Sequence, residues 1–436
     1  MLCRSLINRL NYRLFAVILF CLGWLSDAVA DNSKYVILIT IDGMHAGMVT
    51  DPEMPSPYLK MMKREGLFVD KVKGVPPTAT YPSHTSIVTG ALPVHHRIFY
   101  NSPFVFNKDS VVSYWYADSI KAPTIWQAAK ESGLTTASLF WPVSTKSRWI
   151  DYNIPEYWSV KRVANQLDFI KPVCTPSGIL DELEQNAVGR LDHLTFGAGS
   201  INRDARTAYM ANYIMNKYHP NLMTIHLITT DYAQHATGMQ SERTRMAVAS
   251  VDHAIGLIVE NLKQTHRMDS TTVIVCGDHG FSDISQAIAP NVWLTRAGLL
   301  SEKPGGDWKA CFHGNGSVMF LYLRDSNDKK TLQKVERIIQ NLPVETRRLF
   351  RVVSQEELTA MGGDPKVALA LEPIAGISVS TNRTGADVLV QEAVKTSKAP
   401  QGGAETEATD PSTYLNITTT SSAFSAPTKR KEQNMS

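Results

Sequence analysis

Three short apolar runs along the chain share one design. Tyr35-Val36-Ile37-Leu38-Ile39-Thr40-Ile41 leads straight into Asp42-Gly43, and Leu222-Met223-Thr224-Ile225-His226-Leu227-Ile228 leads into Asp231. The third, Thr271-Thr272-Val273-Ile274-Val275-Cys276, leads into Gly277-Asp278-His279-Gly280. Runs with so few polar interruptions predict strands buried on both faces, since a one-sided sheet would alternate. The segments Ile125–Glu131, Ala205–Lys217 and Arg243–Leu262 have helical character. Strands and helices in this order predict an α/β fold with a largely parallel sheet. Ligands bind such sheets at the carboxyl ends of the strands, so acids placed there by three strands converge on one site.

Elsewhere the pattern is weaker. From Ile150 to about Arg203 the chain is mixed, aromatic at its start (Tyr152, Tyr157, Trp158), and is expected to include loops over the site. From Thr396 onward Thr, Ser, Ala and Pro dominate and the chain nears its end with Lys429-Arg430-Lys431. Residues 396–436 therefore read as a low-complexity, unstructured tail. At the other end, Arg4, Arg9 and Arg13 precede the apolar run Leu14 to Leu25, and Ala28-Val29-Ala30 forms a small-x-small cleavage site. That is the pattern of a secretory signal over residues 1–30. The run is shorter than the roughly 20 residues a membrane span needs. Export to a periplasmic or extracellular location, with no stable membrane anchor, is the expectation.

Composition narrows the picture further. With 436 residues, 43% hydrophobic and 19% charged, the chain can bury a large core and is neither fibrous nor disordered throughout. A net charge of +3 gives no reason to expect a nucleic-acid-binding surface. Beyond the signal, Cys174, Cys276 and Cys311 permit at most one internal disulfide. Cys276 ends a β-branched run and is expected to be a buried, inert thiol.

Two elements carry candidate chemistry. Asp231-x-x-x-His235 and Asp278-His279 each pair a carboxylate with an imidazole after a strand, and such donors suit zinc. Alone, Asp231-x-x-x-His235 reads as a solvated loop and Asp278-His279 fits either reading, but together with Asp42 they favour a metal site. The second element is Thr78-Ala79-Thr80-Tyr81-Pro82-Ser83-His84, running on to Thr89-Gly90. Pro82 fits a helix's first turn and Gly90 its stop, which sets Thr80 just ahead of the helix N-terminus. Free N–H groups there favour an alkoxide and a bound phosphate. An N-cap threonine is the alternative.

The ordered set of Asp42, Thr80 in Thr-x-Thr-Tyr-Pro-Ser-His, Thr89-Gly90, Pro93-x-x-His96, Asn101, Phe140-Trp141-Pro142, Asp231-x-x-x-His235 and Asp278-His279-Gly280 resembles the nucleotide pyrophosphatase/phosphodiesterase family of the alkaline phosphatase superfamily. The likeness covers roughly Lys34 to Phe281. It implies a doubly wound α/β fold with helices on both faces and residues 31–395 as one catalytic domain. It also implies a two-zinc hydrolase of phosphodiester or pyrophosphate bonds in small nucleotide-like or lipid-like substrates. By the same resemblance Thr80 is the nucleophile, passing through a phosphothreonine intermediate. Asp42, Asp278, His279 and Thr80 would hold one zinc, Asp231 and His235 the other, and Asn101 would donate its amide to a phosphoryl oxygen.

The chain departs from the family pattern twice. Arg97 stands where the family has a glycine. The third ligand of the second zinc, a histidine in a Gly-x-His-Gly segment, has no counterpart from Gly402 to Pro411, and no histidine follows His313. The second zinc would then be weakly held. Three accounts fit: His313 in Phe312-His313-Gly314 substitutes, the tail derives from a shifted reading frame, or the chain has lost hydrolysis and only binds phosphorylated ligands. An alkaline phosphomonoesterase is a further alternative, against which Thr80 in place of a serine argues. A sulfatase is excluded, because Cys-x-Pro-x-Arg is absent. Trp141 and Tyr81 read equally as base-stacking residues or as core aromatics. His45, His84, His95 and His226 have no matched role and are expected to be structural.

Overall fold

The computed structural model describes residues 34–106, 113–158, 167–315 and 317–390, with the backbone of two short strands at Thr418–Thr419 and Ala423–Ser425. The expected secretory signal lies outside the described residues. Five strands, β1 (Tyr35–Ile41), β2 (Thr136–Leu139), β3 (Tyr152–Ile154), β4 (Leu222–Leu227) and β5 (Thr271–Gly277), pair in parallel in the order β5-β1-β4-β2-β3. The helices that bear on the site are α1 (Thr80–Thr89), α2 (Arg203–Tyr218), α3 (Thr229–Thr237) and α4 (Glu242–Gln264).

Side chains of a strand point alternately to its two faces, and both faces of this sheet are covered. Ile37, Ile39 and Ile41 join Met223, Ile225, Val273 and Val275 on one face, against Ala211 and Ile214 of α2 and Val251 and Ile255 of α4. Val36, Leu38 and Leu222 turn the other way, onto Val88 of α1, Trp126 and Trp141. This is the expected layered α/β fold, with helices on both faces. Trp141 is fully buried in that second layer, with its ring edge-on to Trp126, so of its two readings the core one applies.

Three local expectations need correction. Helix α1 starts at Thr80 itself, with Ala79 in the cap position, so Thr80 is neither ahead of the helix nor its N-cap. Pro82 is the third helical residue, where a missing N–H costs as little as at the first. Asp231 is not in a loop after β4 but in the first turn of α3, which sets Asp231 and His235 one helical turn apart on one face. Where an unstructured tail is expected, Ala423–Ser425 pairs antiparallel with β5 and with Leu67–Val69, and Thr418–Thr419 pairs with Val72–Lys73. The other residues of that tail lie outside the described ones.

A second sheet was not foreseen. Phe350–Ser354, Leu369–Pro373, Val318–Leu323 and Ala310–Asn315 form an antiparallel sheet in that order, with apolar clusters of its own. Cys174, Cys276 and Cys311 are all free thiols, and burial pushes Cys276 up to about 12.

Arg97, where the resemblance leads one to expect glycine, ends a short helix at φ 67°, in the left-handed region. A side chain there costs roughly 1–2 kcal/mol, partly offset by the greater freedom glycine has when unfolded. Arg97→Gly is therefore expected to raise stability by about 0.5–1 kcal/mol, read as a higher urea midpoint at unchanged slope.

Candidate active site

The carboxyl ends of β1, β4 and β5 and the first turn of α1 meet at one point. Gly43, directly after Asp42, has φ 70°, and a Cβ there would come 2.4 Å from the Phe281 ring. Only glycine fits this turn, and its N–H donates to Asp278 Oδ1 at 3.0 Å. The His279 N–H donates to the same oxygen at 2.9 Å. The ends of β1 and β5 are thereby tied together through one carboxylate.

His279 Nε2 is the centre of the arrangement. It lies 3.2 Å from Asp42 Oδ1, 3.5 Å from Asp278 Oδ2, 4.0 Å from Asp231 Oδ1 and 3.4 Å from Thr80 Oγ1. His235 Nε2 is 3.2 Å from Asp231 Oδ1. All six residues proposed from the sequence as metal ligands are therefore neighbours. Ligand atoms of Asp42, Asp231 and His279 lie within 4.8 Å of one another, drawing members of the two expected zinc sets into one group.

The electrostatics of this cluster call for a cation. Burial raises the Asp231 carboxyl, and the Asp42 charge adds to the rise. Burial and Asp42 together push Asp278 up to about 7. Burial would raise Asp42 too, but the His226 hydrogen bond to Oδ2 and the nearby His279 ring hold it well below its usual range. His279, which burial would lower, is driven well above its usual value by Asp278 and Asp42. Asp42 Oδ1, Asp278 Oδ2 and His235 Nδ1 are buried with no hydrogen-bond partner among the described residues. Leaving such atoms unpaired costs about 1–3 kcal/mol each, more for charged groups. Oxygen and nitrogen donors without partners, around three mutually repelling carboxylates, fit a divalent metal ion.

Asn101 stands at the same point. Its Oδ1 accepts the Tyr81 N–H at 3.0 Å, one of the free donors of the first turn of α1. The carbonyl side of the amide is thus engaged, leaving the NH2 as the group it can present. Tyr81 is buried, with its hydroxyl donating to Glu156 Oε1 at 2.8 Å.

Sequence reasoning missed the part that three residues, His84, His226 and Glu156, play at this site. His84, His226 and Asp278 also gather within metal-ligand spacing. The two histidines have their nitrogens engaged elsewhere, however, which makes them supports rather than ligands. His84 meets Thr40 Oγ1 at 2.8 Å and the Thr80 carbonyl at 2.7 Å. His226 meets Asp42 Oδ2 at 3.1 Å and the Phe140 carbonyl at 3.2 Å, with Glu156 Oε2 at 3.5 Å. Burial alone would lower His226, but the Asp42 and Glu156 carboxylates push it up to about 10. The available signal was position: a histidine interrupting an apolar strand one residue before its carboxyl end.

His313 belongs to neither of the two groups that could hold a metal among the described residues. It lies within the strand Ala310–Asn315, its ring 5.4 Å from Tyr100 and 5.3 Å from Phe104, and burial lowers its pKa.

Residues 36–367 match the family described as type I phosphodiesterase/nucleotide pyrophosphatase. The chain belongs to this family. Among curated relatives, mouse ectonucleotide pyrophosphatase/phosphodiesterase family member 3 is 25% identical over 281 residues, 60% of this chain and 28% of that protein. Human bis(5'-adenosyl)-triphosphatase is 25% identical over 279 residues, 63% of this chain and 54% of that protein. The matched region therefore spans between about a quarter and about half of these relatives' length. Murine ectonucleotide pyrophosphatase/phosphodiesterase 5 has a similar fold, with a TM-score of 0.57 at 17% identity, covering 90% of this chain and 87% of that one. Phosphonoacetate hydrolase from Sinorhizobium meliloti, solved with phosphonoformate, gives 0.60 at 16% identity and covers 90% and 89%. The family's fold, of the alkaline phosphatase type, is that of this chain.

Proposed function

We propose that the chain is an exported, zinc-dependent hydrolase of phosphodiester or pyrophosphate bonds in small nucleotide-like or lipid-like substrates, acting through Thr80. The observation that carries this reading is the gathering of Asp42, Asp278 and the Thr80 hydroxyl around His279 Nε2, with one oxygen of each carboxylate unpartnered. Family membership supports the reaction class. An inactive threonine-to-alanine variant of the murine protein, solved in complex with AMP, supports both the nucleophile and a nucleotide-like substrate. The apolar run before Ala28-Val29-Ala30 and the "ecto" names of the relatives support export.

Asp42, Thr80, Asp278 and His279 would hold one ion and Asp231 and His235 the other, supplying positive charge that lowers the pKa of a nearby hydroxyl and neutralises a phosphoryl group. A threonine hydroxyl is otherwise a poor nucleophile at neutral pH. Thr80 Oγ gives up its proton and attacks phosphorus, the bond to the leaving alcohol or phosphate breaks with that oxygen taking up a proton, and the phosphoryl group is carried on Thr80. Water then attacks the same phosphorus, and the Thr80 hydroxyl is restored. Asn101 donates from its amide to a non-bridging oxygen throughout. Asp231 and His235 are two protein ligands against four on the other side, so the second ion is the weaker.

Turnover of bis-p-nitrophenyl phosphate against p-nitrophenyl phosphate, with zinc and with chelator, tests the reading. Faster diester cleavage that chelator abolishes is expected, because nothing in the ligand set is dedicated to a dianion's extra charge. A monoester preference of about tenfold or more would instead indicate an alkaline phosphomonoesterase. Zinc binding without turnover would indicate a protein that only binds phosphorylated ligands. Asn101→Ala is expected to slow diester cleavage by about 10²-fold, the usual cost of removing one preorganised donor.

A further inference from the structure

Asp42 can serve a metal only if one of its two oxygens is kept free and turned the right way. Its backbone is fixed: the N–H donates to the Leu227 carbonyl at 2.8 Å, and the carbonyl accepts from Thr230 Oγ1 at 2.6 Å. The orientation of the carboxylate is the remaining freedom, and His226 limits it. The His226 ring, nearly inaccessible to solvent, donates from Nε2 to Asp42 Oδ2 at 3.1 Å. Oδ1, left without a hydrogen-bond partner, is the oxygen that faces His279. The ring is fixed in turn on its other side, where Nδ1 faces the Phe140 carbonyl at 3.2 Å and Glu156 Oε2 at 3.5 Å. Glu156 is anchored through its other oxygen, which accepts from the Tyr81 hydroxyl at 2.8 Å and the Trp158 indole N–H at 3.2 Å.

The geometry points to His226 as a positioning residue that selects which Asp42 oxygen meets the metal, with Glu156 and Tyr81 setting the orientation of His226. Tyr81 directly follows the nucleophile, so the chain Tyr81–Glu156–His226–Asp42 links the start of α1 to the metal ligand at the end of β1. This inference rests on the metal reading of the site. Histidine at this position is required not for its bulk but for a donor aimed at Oδ2, so a side chain with one amide donor of similar reach replaces it better than an apolar one of similar size.

The test is zinc affinity, measured by competition with a chromophoric chelator on the purified full chain, for wild type, His226→Leu, His226→Gln and Glu156→Gln. Removing the partner that orients a metal ligand typically lowers affinity by about 10–100-fold. His226→Leu is expected near the upper end of that range, Glu156→Gln about tenfold, and His226→Gln within about threefold of wild type. Glu156→Gln keeps its acceptor for Tyr81 and Trp158, so it reports on the network even if His226→Leu does not fold. Wild-type zinc affinity in folded His226→Leu, or in Glu156→Gln should the former not fold, would overturn the assignment while leaving the metal reading in place. Equal losses in His226→Leu and His226→Gln would overturn it too, because the effect would then not follow the donor. A wild-type chain that takes up no zinc would overturn the metal reading and this inference together.

Discussion

Thr80→Ala is expected to lower phosphodiester turnover by at least about 10³-fold while leaving the fold intact, as loss of an attacking hydroxyl does in enzymes with covalent intermediates. The hydroxyl has little structural work that could confuse the result. Ala79, not Thr80, occupies the cap position of α1, and the contact resolved for Thr80 Oγ1 is His279 Nε2 at 3.4 Å. Any change in stability should stay below about 1 kcal/mol, the typical cost of a lost cap, and the thermal midpoint should move little. Thr80→Ser keeps the oxygen and should keep part of the rate. If Thr80→Ala retained more than about a hundredth of the wild-type rate, another group would have to be the nucleophile.

His279→Ala and Asp42→Asn are expected to reduce zinc content and activity together, each by about 10²-fold or more in affinity. His279 Nε2 lies within 4.0 Å of Asp42, Asp231 and Asp278, so its loss leaves two buried carboxylates and the half-buried Asp231 facing one another across a gap. Asp42→Asn keeps the shape of the side chain and removes the charge that both His226 and His279 meet. The two variants should therefore behave alike at fixed free zinc, and added zinc should restore part of the rate in both. Full metal content at full rate in either would mean that the ions sit elsewhere.

That these residues meet could be read from the sequence because they follow strand ends. Buried parallel strands are apolar for their whole length, and β1 has the bounds its run predicts, Tyr35–Ile41. Once the strands are found, Asp42 and Asp278 fall at their carboxyl ends by topology alone. What could not be read depends on distant partners. His226 in an apolar strand looks like an ordinary buried histidine until β1 is paired with β4, which sets Thr40 beside it. Glu156 follows β3 in a stretch with no motif, and it reaches His226 only because β3 pairs with β2 at the edge of the parallel strands. The start of α1 reads as following Thr80 because proline is tolerated at any of the first helical positions, so Pro82 marks the first turn and not its first residue. His313, one of three accounts of the missing ligand, shows why spacing alone does not decide: it lies in the strand Ala310–Asn315 with its ring against Tyr100 and Phe104.

The claim on which the rest depends is that the phosphoryl group passes through Thr80 before reaching water. Each in-line displacement inverts phosphorus, so two in succession restore the starting configuration. The most direct measurement is the configuration at phosphorus of the product formed from one diastereomer of an aryl phosphorothioate diester in isotopically labelled water. Retention is the result expected for attack by Thr80 followed by water; inversion would mean that water attacks the substrate directly, and would contradict the account.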